Sequence, residues 1–233
     1  METRSEVDRL QEVYREYTIR GFGKTKWSLA NKGNQAVQDE CQSELRDLLQ
    51  KTGFFPLENR RILDVGCGTG ERLAAFGNWG ARPENMFGID LIPDRICAAR
   101  KHFPEITFEL ANAETLPFTD DSFDLVTVFT VFTSILDQRM AANVCREINR
   151  VLAPGGGIIW YDFRLNNPLN RHVRGISREQ IRKLFPGFGT NLKAISLLPP
   201  LARRLGRLTN KLYPLLSTMP FLRSHYLGVL TKP

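Results

Sequence analysis

The fold is decided by the stretch Arg61-Ile62-Leu63-Asp64-Val65-Gly66-Cys67-Gly68-Thr69-Gly70. Its first half is a short, mostly apolar run, which is typical of a strand buried on both faces of a parallel sheet. Three glycines then alternate with other residues, and glycine lets a ligand approach the backbone closely. A helix that begins after such a loop directs its free N–H groups at the ligand. We therefore expect a nucleotide-type site, although the G-x-G-x-G spacing matches neither the dinucleotide loop nor the P-loop.

Later segments continue the alternation of strands and helices that marks an α/β fold. Gly88-Ile89-Asp90-Leu91 ends a second strand, where a carboxylate can accept hydrogen bonds from ribose hydroxyls. Asn112-Ala113-Glu114-Thr115-Leu116-Pro117-Phe118 follows a third strand, and Phe123-Asp124-Leu125-Val126 opens a fourth. Arg150-Val151-Leu152-Ala153-Pro154-Gly155-Gly156-Gly157 makes a turn before a fifth. The predicted strands are 61–65, 86–90, 106–110, 123–129, 157–162, 191–198 and 225–231.

Taken together, these segments resemble the motifs of the class I S-adenosylmethionine-dependent methyltransferases. The similarity covers residues 60–162. It implies a three-layer, Rossmann-like α/β fold with a mostly parallel seven-stranded sheet and an antiparallel last strand. It also implies that S-adenosylmethionine is the cofactor and S-adenosylhomocysteine the product.

Ligands of such sheets bind beyond the carboxyl ends of the strands. The resemblance implies that Asp64 and the glycine loop hold the methionine end of the cofactor, that Asp90 accepts from the ribose hydroxyls, and that Asn112 receives the adenine amino group. Many relatives have Asp where Asn112 stands, but an amide oxygen can still accept a hydrogen bond. The alternative is that Asn112 is only a turn residue. The predicted cofactor-binding residues are Asp64, Gly66, Cys67, Gly68, Thr69, Gly70, Asp90, Leu91, Asn112, Ala113, Glu114 and Phe129.

The composition restricts the class of protein. A chain of 233 residues fits one domain with a large core, or one domain with an insertion. It has no apolar run of about 18 residues that could span a membrane, and its charged first ten residues do not resemble a secretion signal. Its four cysteines are far apart in sequence, which predicts reduced thiols in a cytoplasmic protein and no metal site.

The net charge of +7 is distributed unevenly along the chain. Residues 164–233 contain thirteen Lys and Arg but one acid, Glu179, so that this third carries +12 and the rest carries −5. Such a block is either a solvated face or a surface for an anionic partner, and we favour the partner.

Two segments outside the family motifs are expected to complete the protein. Residues 1–59 are predicted to form a helical cap over the cofactor and the acceptor, and residues 60–233 to form the core. Within that core, about 199–222 is a helical insertion between the last two strands. Its leucines and basic residues alternate at helical spacing, which predicts one amphipathic helix. This helix either packs on the sheet edge, covers the acceptor, or lies on a membrane surface through residues 200–212.

Acceptor-binding candidates come from loops, where functional residues tend to lie. Trp27 occupies a predicted loop at 20–34, whereas Tyr14 and Tyr17 can equally well be core residues of a first helix capped by Ser5. The predicted acceptor-binding residues are Trp27, Thr133, Arg164, Arg171 and Arg174.

A hydroxyl acceptor needs a general base, and Asp162 and His172 are the two candidates near the edge of the sheet. Each has a non-catalytic alternative. Asp162 can pair with Arg164 or Arg171, and His172 can simply be solvated. The position after strand four offers Thr133-Ser134, so no base is carried over from relatives that have histidines there.

We therefore expect methyl transfer to a small-molecule, glycan or lipid-precursor acceptor that is anionic, at an oxygen atom. The segments Thr130 to Ile135, Trp160 to Arg164 and His225 to Leu227 resemble bacterial enzymes of natural product or polysaccharide biosynthesis. An RNA or protein methyltransferase and a catalytically silent binding module remain alternatives. Phe129-Thr130-Val131-Phe132 stands where enzymes that methylate exocyclic amines of nucleic acids have [N/D]-P-P-[Y/F], so no specific nucleic acid is expected.

Overall fold

The computed structural model describes residues 5–21 and 26–233. Its strands are β1 (Ile62–Val65), β2 (Met86–Asp90), β3 (Thr107–Leu110), β4 (Phe123–Phe129), β5 (Leu152–Phe163), β6 (Gly189–Leu197) and β7 (Arg223–Thr231). They form one sheet in the order β3-β2-β1-β4-β5-β7-β6. Neighbouring strands are parallel except that β7 runs antiparallel to both β5 and β6. The predicted mostly parallel sheet with an antiparallel last strand is confirmed.

Helices cover both faces of this sheet. They are α1 (Glu6–Ile19), α2 (Lys32–Lys51), α3 (Glu71–Ala74), α4 (Pro93–His102), α5 (Gln138–Val151), α6 (Arg178–Leu184), α7 (Pro199–Arg204) and α8 (Thr209–Leu216). Short 3-10 helices occupy Ala75–Trp79, Pro83–Asn85, Gly206–Leu208 and Pro220–Leu222. One apolar cluster joins α2 to the sheet and another joins α5 to the opposite face. All four residues of β1 are buried, as a strand covered on both faces requires.

Local sequence explains where the helices begin. The Ser5 side chain accepts a hydrogen bond from the Asp8 N–H, which confirms the predicted cap of α1. Ser177 and Gln180 form a reciprocal capping box at the start of α6. Asp137 caps α5 by accepting from the Met140 N–H at 2.8 Å.

The insertion differs from the prediction. A basic amphipathic helix over 200–212, ended by proline near 214 and 220, was expected within the insertion, but the segment consists of α7, a 3-10 turn, α8 and a second 3-10 turn. Gly206 adopts a φ of 52°, in the left-handed region, which interrupts the helical path after α7. Pro214 lies inside α8, which ends two residues later at Leu216. The expectation of one continuous helix was therefore wrong.

The insertion packs closely on α2. A Cβ at Gly33 would lie 1.9 Å from the carbonyl oxygen of Ala202 in α7, so the two backbones are in direct contact. The Tyr213 hydroxyl of α8 donates to Glu40 Oε2 at 2.7 Å, and Glu40 also forms an ion pair with Arg223. Helix α2 packs on the sheet as well as on the insertion, so α2, α7 and α8 form one layer of helices. The division into a cap of residues 1–59 and a core of residues 60–233 stays a prediction.

The topology places several loops at one edge. Both β5 and β6 run antiparallel to β7, so their carboxyl ends lie at the same edge of the sheet. The loop 164–177 and the insertion after β6 therefore both start from the edge at which β1 and β2 end. Within the described residues, no helix is long and apolar enough to cross a membrane.

Candidate active site at the carboxyl edge of the sheet

The glycine loop after β1 has a backbone that only glycine adopts readily. Gly66, Gly68 and Gly70 have φ values of 75°, 58° and 88°. Space is also limited, since a Cβ at Gly66 would lie 2.9 Å from Val131 Cγ2, and one at Gly70 would lie 2.7 Å from Phe108. A side chain at either of these two positions would therefore not fit without a shift of its neighbours.

Asp90, the last residue of β2, presents a fixed carboxylate beside this loop. Its Oδ2 accepts from the Gly68 N–H at 2.9 Å, and its Oδ1 accepts from the Ile92 N–H at 2.9 Å. The Arg95 guanidinium approaches Oδ2 to 3.8 Å. The carboxylate is nearly buried and has lone pairs left to accept hydrogen bonds from hydroxyl groups.

A cavity of about 230 Å³ opens in front of Asp90. Six of the predicted cofactor-binding residues line it, namely Gly66, Asp90, Leu91, Asn112, Ala113 and Phe129. The other lining residues are Leu10, Tyr14, Val65, Ile89, Ile92, Arg95, Ala111, Thr130, Val131, Ser134, Ile135, Met140 and Val144. The cavity therefore combines the ends of four parallel strands with α1, α4 and α5.

Helix α1 forms one wall of this cavity. The Tyr14 hydroxyl lies 2.9 Å from Ser134 Oγ, and the Arg95 guanidinium lies 4.2 Å from the centre of the Tyr14 ring. Burial raises the pKa of Tyr14, so this hydroxyl is protonated. At the other end of the helix, Glu6 Oε1 accepts from the Leu136 N–H at 2.6 Å. The sequence showed that α1 has an apolar face, but gave no signal for the partner of that face.

Asn112 uses its side chain within its own turn. Its Oδ1 accepts from the Glu114 N–H at 3.0 Å, and its Nδ2 lies 3.2 Å from Glu114 Oε2. Glu114 Oε1 in turn accepts from Asn143 Nδ2 at 2.8 Å. Asn112 therefore acts as a turn residue, as the alternative expected, and it also lines the cavity. The Glu114 side chain points toward α5.

Two more predicted residues direct their side chains into the protein. Asp64 accepts a short hydrogen bond from Thr127 Oγ1. Burial raises the pKa of Asp64 to about 7, and the hydrogen bond from Thr127 and the nearby Arg72 partly offset this effect. The Cys67 sulfur packs against Gly88, while its N–H donates to the Ile89 carbonyl at 2.9 Å. Cys67 therefore contributes backbone, not side chain, to the loop.

Asp162 and Thr133, predicted in different roles, contact each other. Asp162 Oδ2 accepts from the Thr133 N–H at 3.0 Å, and Oδ1 accepts from the Thr133 hydroxyl and from the Phe163 N–H at 2.9 Å. Burial raises the pKa of Asp162 to about 7, while these donors oppose the shift. The expected alternative, a pair with Arg164 or Arg171, is not formed. Both carboxylate oxygens instead hold the loop after β4 against β5.

The predicted acceptor-binding residues do not gather in one place. Arg164 donates to the carbonyls of Pro220 and Arg223 at 2.8 and 3.1 Å, so it fastens the end of the insertion. The Trp27 ring lies 5.3 Å below the Arg203 guanidinium, beside α7 and away from the cavity lining.

Arg171 and Arg174 line a second, more open depression of about 410 Å³. Three asparagines share it, Asn166, Asn167 and Asn170, and neither arginine forms an ion pair with a described residue. His172 belongs to the same loop, where its N–H donates to Asn170 Oδ1 at 3.1 Å, but it lines neither cavity.

A row of rings near the cavity was not anticipated from the sequence. The Arg72 guanidinium lies 4.3 Å from the centre of the Phe129 ring and 5.7 Å from that of Tyr161. His225 stacks on Tyr161 with ring centres 4.4 Å apart and planes 8° apart. These residues come from four separate elements, so no local sequence pattern could bring them together.

His225 is neutral, and its hydrogen bonds select one of the two imidazole tautomers. Burial lowers its pKa to about 3. The Ser224 hydroxyl donates to the Ser196 carbonyl at 2.9 Å, so at 2.7 Å it can only accept from His225 Nδ1. His225 Nδ1 therefore carries the proton and Nε2 is the basic nitrogen.

The residues present fit the cofactor that the sequence motifs imply. Asp90 offers acceptors for a diol, the glycine loop permits close approach, and apolar side chains such as Leu91 and Ala113 can enclose a flat ring. Among the described residues there is no cluster of three or more His, Cys, Asp or Glu that could hold a metal ion.

Comparison with known proteins agrees with this geometry. Residues 62–156 match a family described as a methyltransferase domain. The chain is 29% identical over 151 residues to phthiotriol/phenolphthiotriol dimycocerosates methyltransferase 1 of Mycobacterium ulcerans, covering 64% of this chain and 54% of that protein. It is 38% identical over 97 residues to the demethylmenaquinone methyltransferase of Chlorobaculum parvum, covering 41% and 38%. The chain thus spans about half or less of the length of these relatives.

Solved structures show the same fold. A SAM-dependent methyltransferase from Archaeoglobus fulgidus superposes with a TM-score of 0.61 at 16% identity, over 93% of this chain and 100% of that one. A second, from Mesorhizobium loti, superposes with a TM-score of 0.58 at 20% identity, over 77% and 94%. Residues 62–156 thus carry a methyltransferase domain, and the chain has the fold of these S-adenosylmethionine-dependent methyltransferases. The glycine loop and the placement of Asp90 agree with S-adenosylmethionine as the cofactor.

Proposed function

We propose that this protein transfers a methyl group from S-adenosylmethionine to a small lipid-type or quinone-type acceptor. The observation that supports this most strongly is the Asp90 carboxylate, which is fixed beside the glycine loop and faces a preformed cavity. The names of the relatives point to lipid and quinone acceptors, within the broader class of small molecules and glycan or lipid precursors expected from the sequence.

In this proposal each part of the cavity binds one part of the cofactor. Asp90 accepts from the ribose hydroxyls, and Leu91 and Ala113 enclose the adenine. The glycine loop, whose backbone permits close approach, lies against the methionine end. Helix α1 covers the cavity and excludes water, since Leu10 and Tyr14 form its wall.

The sulfonium of the cofactor supplies an already activated methyl group, so the protein contributes mainly alignment of the acceptor. Asp162 is proposed to position Thr133 and the loop after β4, because both of its oxygens already accept hydrogen bonds. We retain oxygen as the proposed acceptor atom, and His172 as a proposed but peripheral base.

An anionic group on the acceptor would suit the second depression. Arg171 and Arg174 are exposed there, and the planar guanidinium binds two oxygens of a phosphate or carboxylate at once. A lipid acceptor would be met at a membrane surface, and the predicted contact through residues 200–212 stays part of this proposal.

The direct test is to incubate the purified protein with methyl-labelled S-adenosylmethionine and a bacterial lysate, and to follow the label by mass spectrometry. We expect label in the organic extract, and much less of it with Asp90→Ala at the same concentration of cofactor. Label in the RNA or protein fraction would support the alternative methyltransferase classes. Cofactor binding without transfer to any fraction would indicate a silent binding module.

A further inference from the structure

The insertion presents apolar side chains to solvent although it already has an anchored inner face. Ala202, Thr209 and Tyr213 point inward and are buried against the body of the protein. Leu208, Leu215 and Phe221 point outward with 55%, 59% and 70% of their surface exposed. Leu208, Lys211 and Leu215 recur at the spacing of one helical face. These outward leucines therefore contribute little to the packing of the core.

Cations flank these apolar residues. Arg204, Arg207 and Lys211 are exposed, and none forms an ion pair with a described residue. The one acid in residues 164–233, Glu179, is already paired with Lys183 at 2.8 Å. We call Leu208, Leu215 and Phe221, together with Arg204, Arg207 and Lys211, the docking face.

The docking face belongs to an insertion that begins at the same edge of the sheet as the candidate active site. The insertion starts from the carboxyl end of β6, at the edge of the sheet where the cofactor cavity opens. Arg164 joins its end to the loop after β5 by two hydrogen bonds. That loop carries Leu169, the most exposed large apolar residue described, at 95%. A partner on this face would thus contact the edge at which an acceptor enters.

We propose that the docking face binds the surface of an anionic phospholipid bilayer and presents the active-site edge to acceptors dissolved in it. This inference rests on the proposed function, since a lipid-type or quinone-type acceptor resides in such a bilayer. Outward leucines and a phenylalanine enter the interface, and the surrounding cations contact the lipid phosphates.

Two other occupants fit less well. A second copy of this chain, related by a two-fold axis, would bring the unpaired cations of the two docking faces together, and these cations would repel one another. RNA would satisfy the cations, but exposed leucines add nothing to phosphate binding.

The test is sedimentation of the purified protein with phosphatidylcholine vesicles and with vesicles containing about a third phosphatidylglycerol. We expect binding to the anionic vesicles. Replacing Arg204, Arg207 and Lys211 together by Gln should weaken it about 100-fold, since each cation near such a surface contributes about a factor of 5. Replacing Leu215 and Phe221 by Ser should weaken it at least tenfold without changing the charge.

Arg46, Lys51 and Lys101 are exposed cations on α2 and α4, away from the docking face, and provide the control. Their replacement by Gln makes the same charge change and should leave vesicle binding within about twofold. Equal loss in this control, equal binding to both kinds of vesicle, or no binding would overturn the proposal. So would a wild-type dimer that the Leu215 and Phe221 changes convert to monomers.

Affinity for S-adenosylhomocysteine, measured on the same variants, separates the two proposals. If the protein binds the cofactor product and methylates an acceptor but ignores vesicles, the docking inference fails and the proposed function stands. If it binds vesicles but not the cofactor product, the proposed function fails.

Discussion

At the scale of single residues, three buried aspartates differ in what their oxygens contact. Asp90 accepts from two backbone N–H groups and still faces the cavity. Asp162 is saturated by donors from Thr133 and Phe163. Asp64 is bonded to Thr127 within the sheet. Of the three, Asp90 is the one suited to bind a ligand through its side chain.

Asp90→Ala should weaken S-adenosylmethionine binding by about 2–3 kcal/mol, because charge-assisted hydrogen bonds to two hydroxyls are lost. Titration calorimetry measures the change. Asp94→Ala, an exposed acid in the first turn of α4, is the matched control and should bind normally. Equal affinity in the Asp90 variant would place the ribose elsewhere.

Asp162→Asn should lower the free energy of unfolding by about 2 kcal/mol. The amide nitrogen of the new side chain must face a backbone donor in a buried site, the Thr133 N–H if it replaces Oδ2 or the Phe163 N–H if it replaces Oδ1. Urea denaturation gives the change, with Glu105→Gln on the surface as the control. A stable variant that binds cofactor but transfers no methyl group would argue for a catalytic role instead.

His225 makes stability depend on pH on the acid side. Its pKa is about 3 when folded and 6.5 in the unfolded chain, so the unfolded chain binds the extra proton between these values. This contribution to stability is complete above pH 6.5 and is lost as the pH falls toward 3, by about 1.4 kcal/mol per unit.

Replacing His225 by Phe, which can still stack on Tyr161, should remove that dependence. Between pH 7 and pH 5 the wild type should lose about 2 kcal/mol more unfolding free energy than the variant. Urea titrations at both pH values measure the difference. His102→Phe alters an exposed histidine and should leave the pH profile unchanged. Parallel profiles for wild type and His225→Phe would contradict the buried, neutral state.

At the scale of elements, the sequence was informative where a local backbone conformation or a helix cap requires one type of residue. The glycine loop follows from three left-handed backbones, and the caps of α1 and α6 follow from Ser5 and Ser177. It failed where distant segments meet. The wall that α1 gives to the cofactor cavity depends on Ser134 and Arg95, which no periodicity in α1 indicates.

The insertion shows the same limit. Its leucines have helical spacing, but that spacing does not show where a left-handed Gly206 interrupts the helix. It also does not show that Gly33 is the surface on which α7 rests. Both features depend on tertiary contacts, which override local propensity.

Gly33→Ala should therefore destabilise the protein by at least about 2 kcal/mol, although alanine favours helices. Its Cβ would lie 1.9 Å from the Ala202 carbonyl oxygen, so α7 must move away from α2. Gly77→Ala is the matched control, because nothing lies within 4 Å of a Cβ there, and its effect should stay within about 1 kcal/mol. Thermal unfolding of both variants tests this, and equal melting temperatures would mean that α7 does not rest on α2.

At the scale of the whole molecule, the proposed binding sites for the cofactor and the acceptor lie in parts of the chain with opposite net charge. The part that carries the cofactor cavity is mildly acidic, and residues 164–233, with the docking face and the depression around Arg171 and Arg174, carry +12. A change on the basic side should therefore act on the acceptor and leave the cofactor unaffected.

Reversing Arg171 and Arg174 to Glu should raise the KM for the acceptor recovered from the labelled extract at least tenfold, because two cations that attract its anionic group become repulsive. Affinity for S-adenosylhomocysteine should not change, since neither arginine lines the cofactor cavity. In the wild type the KM should also rise with ionic strength, and in the variant this dependence should weaken or reverse. Lys51 and Lys101, reversed to Glu together, change the net charge equally at a distance from the depression, and should leave the KM within about twofold. If both double variants raise the KM equally, the effect is one of net charge, and an anionic acceptor group bound by Arg171 and Arg174 is ruled out.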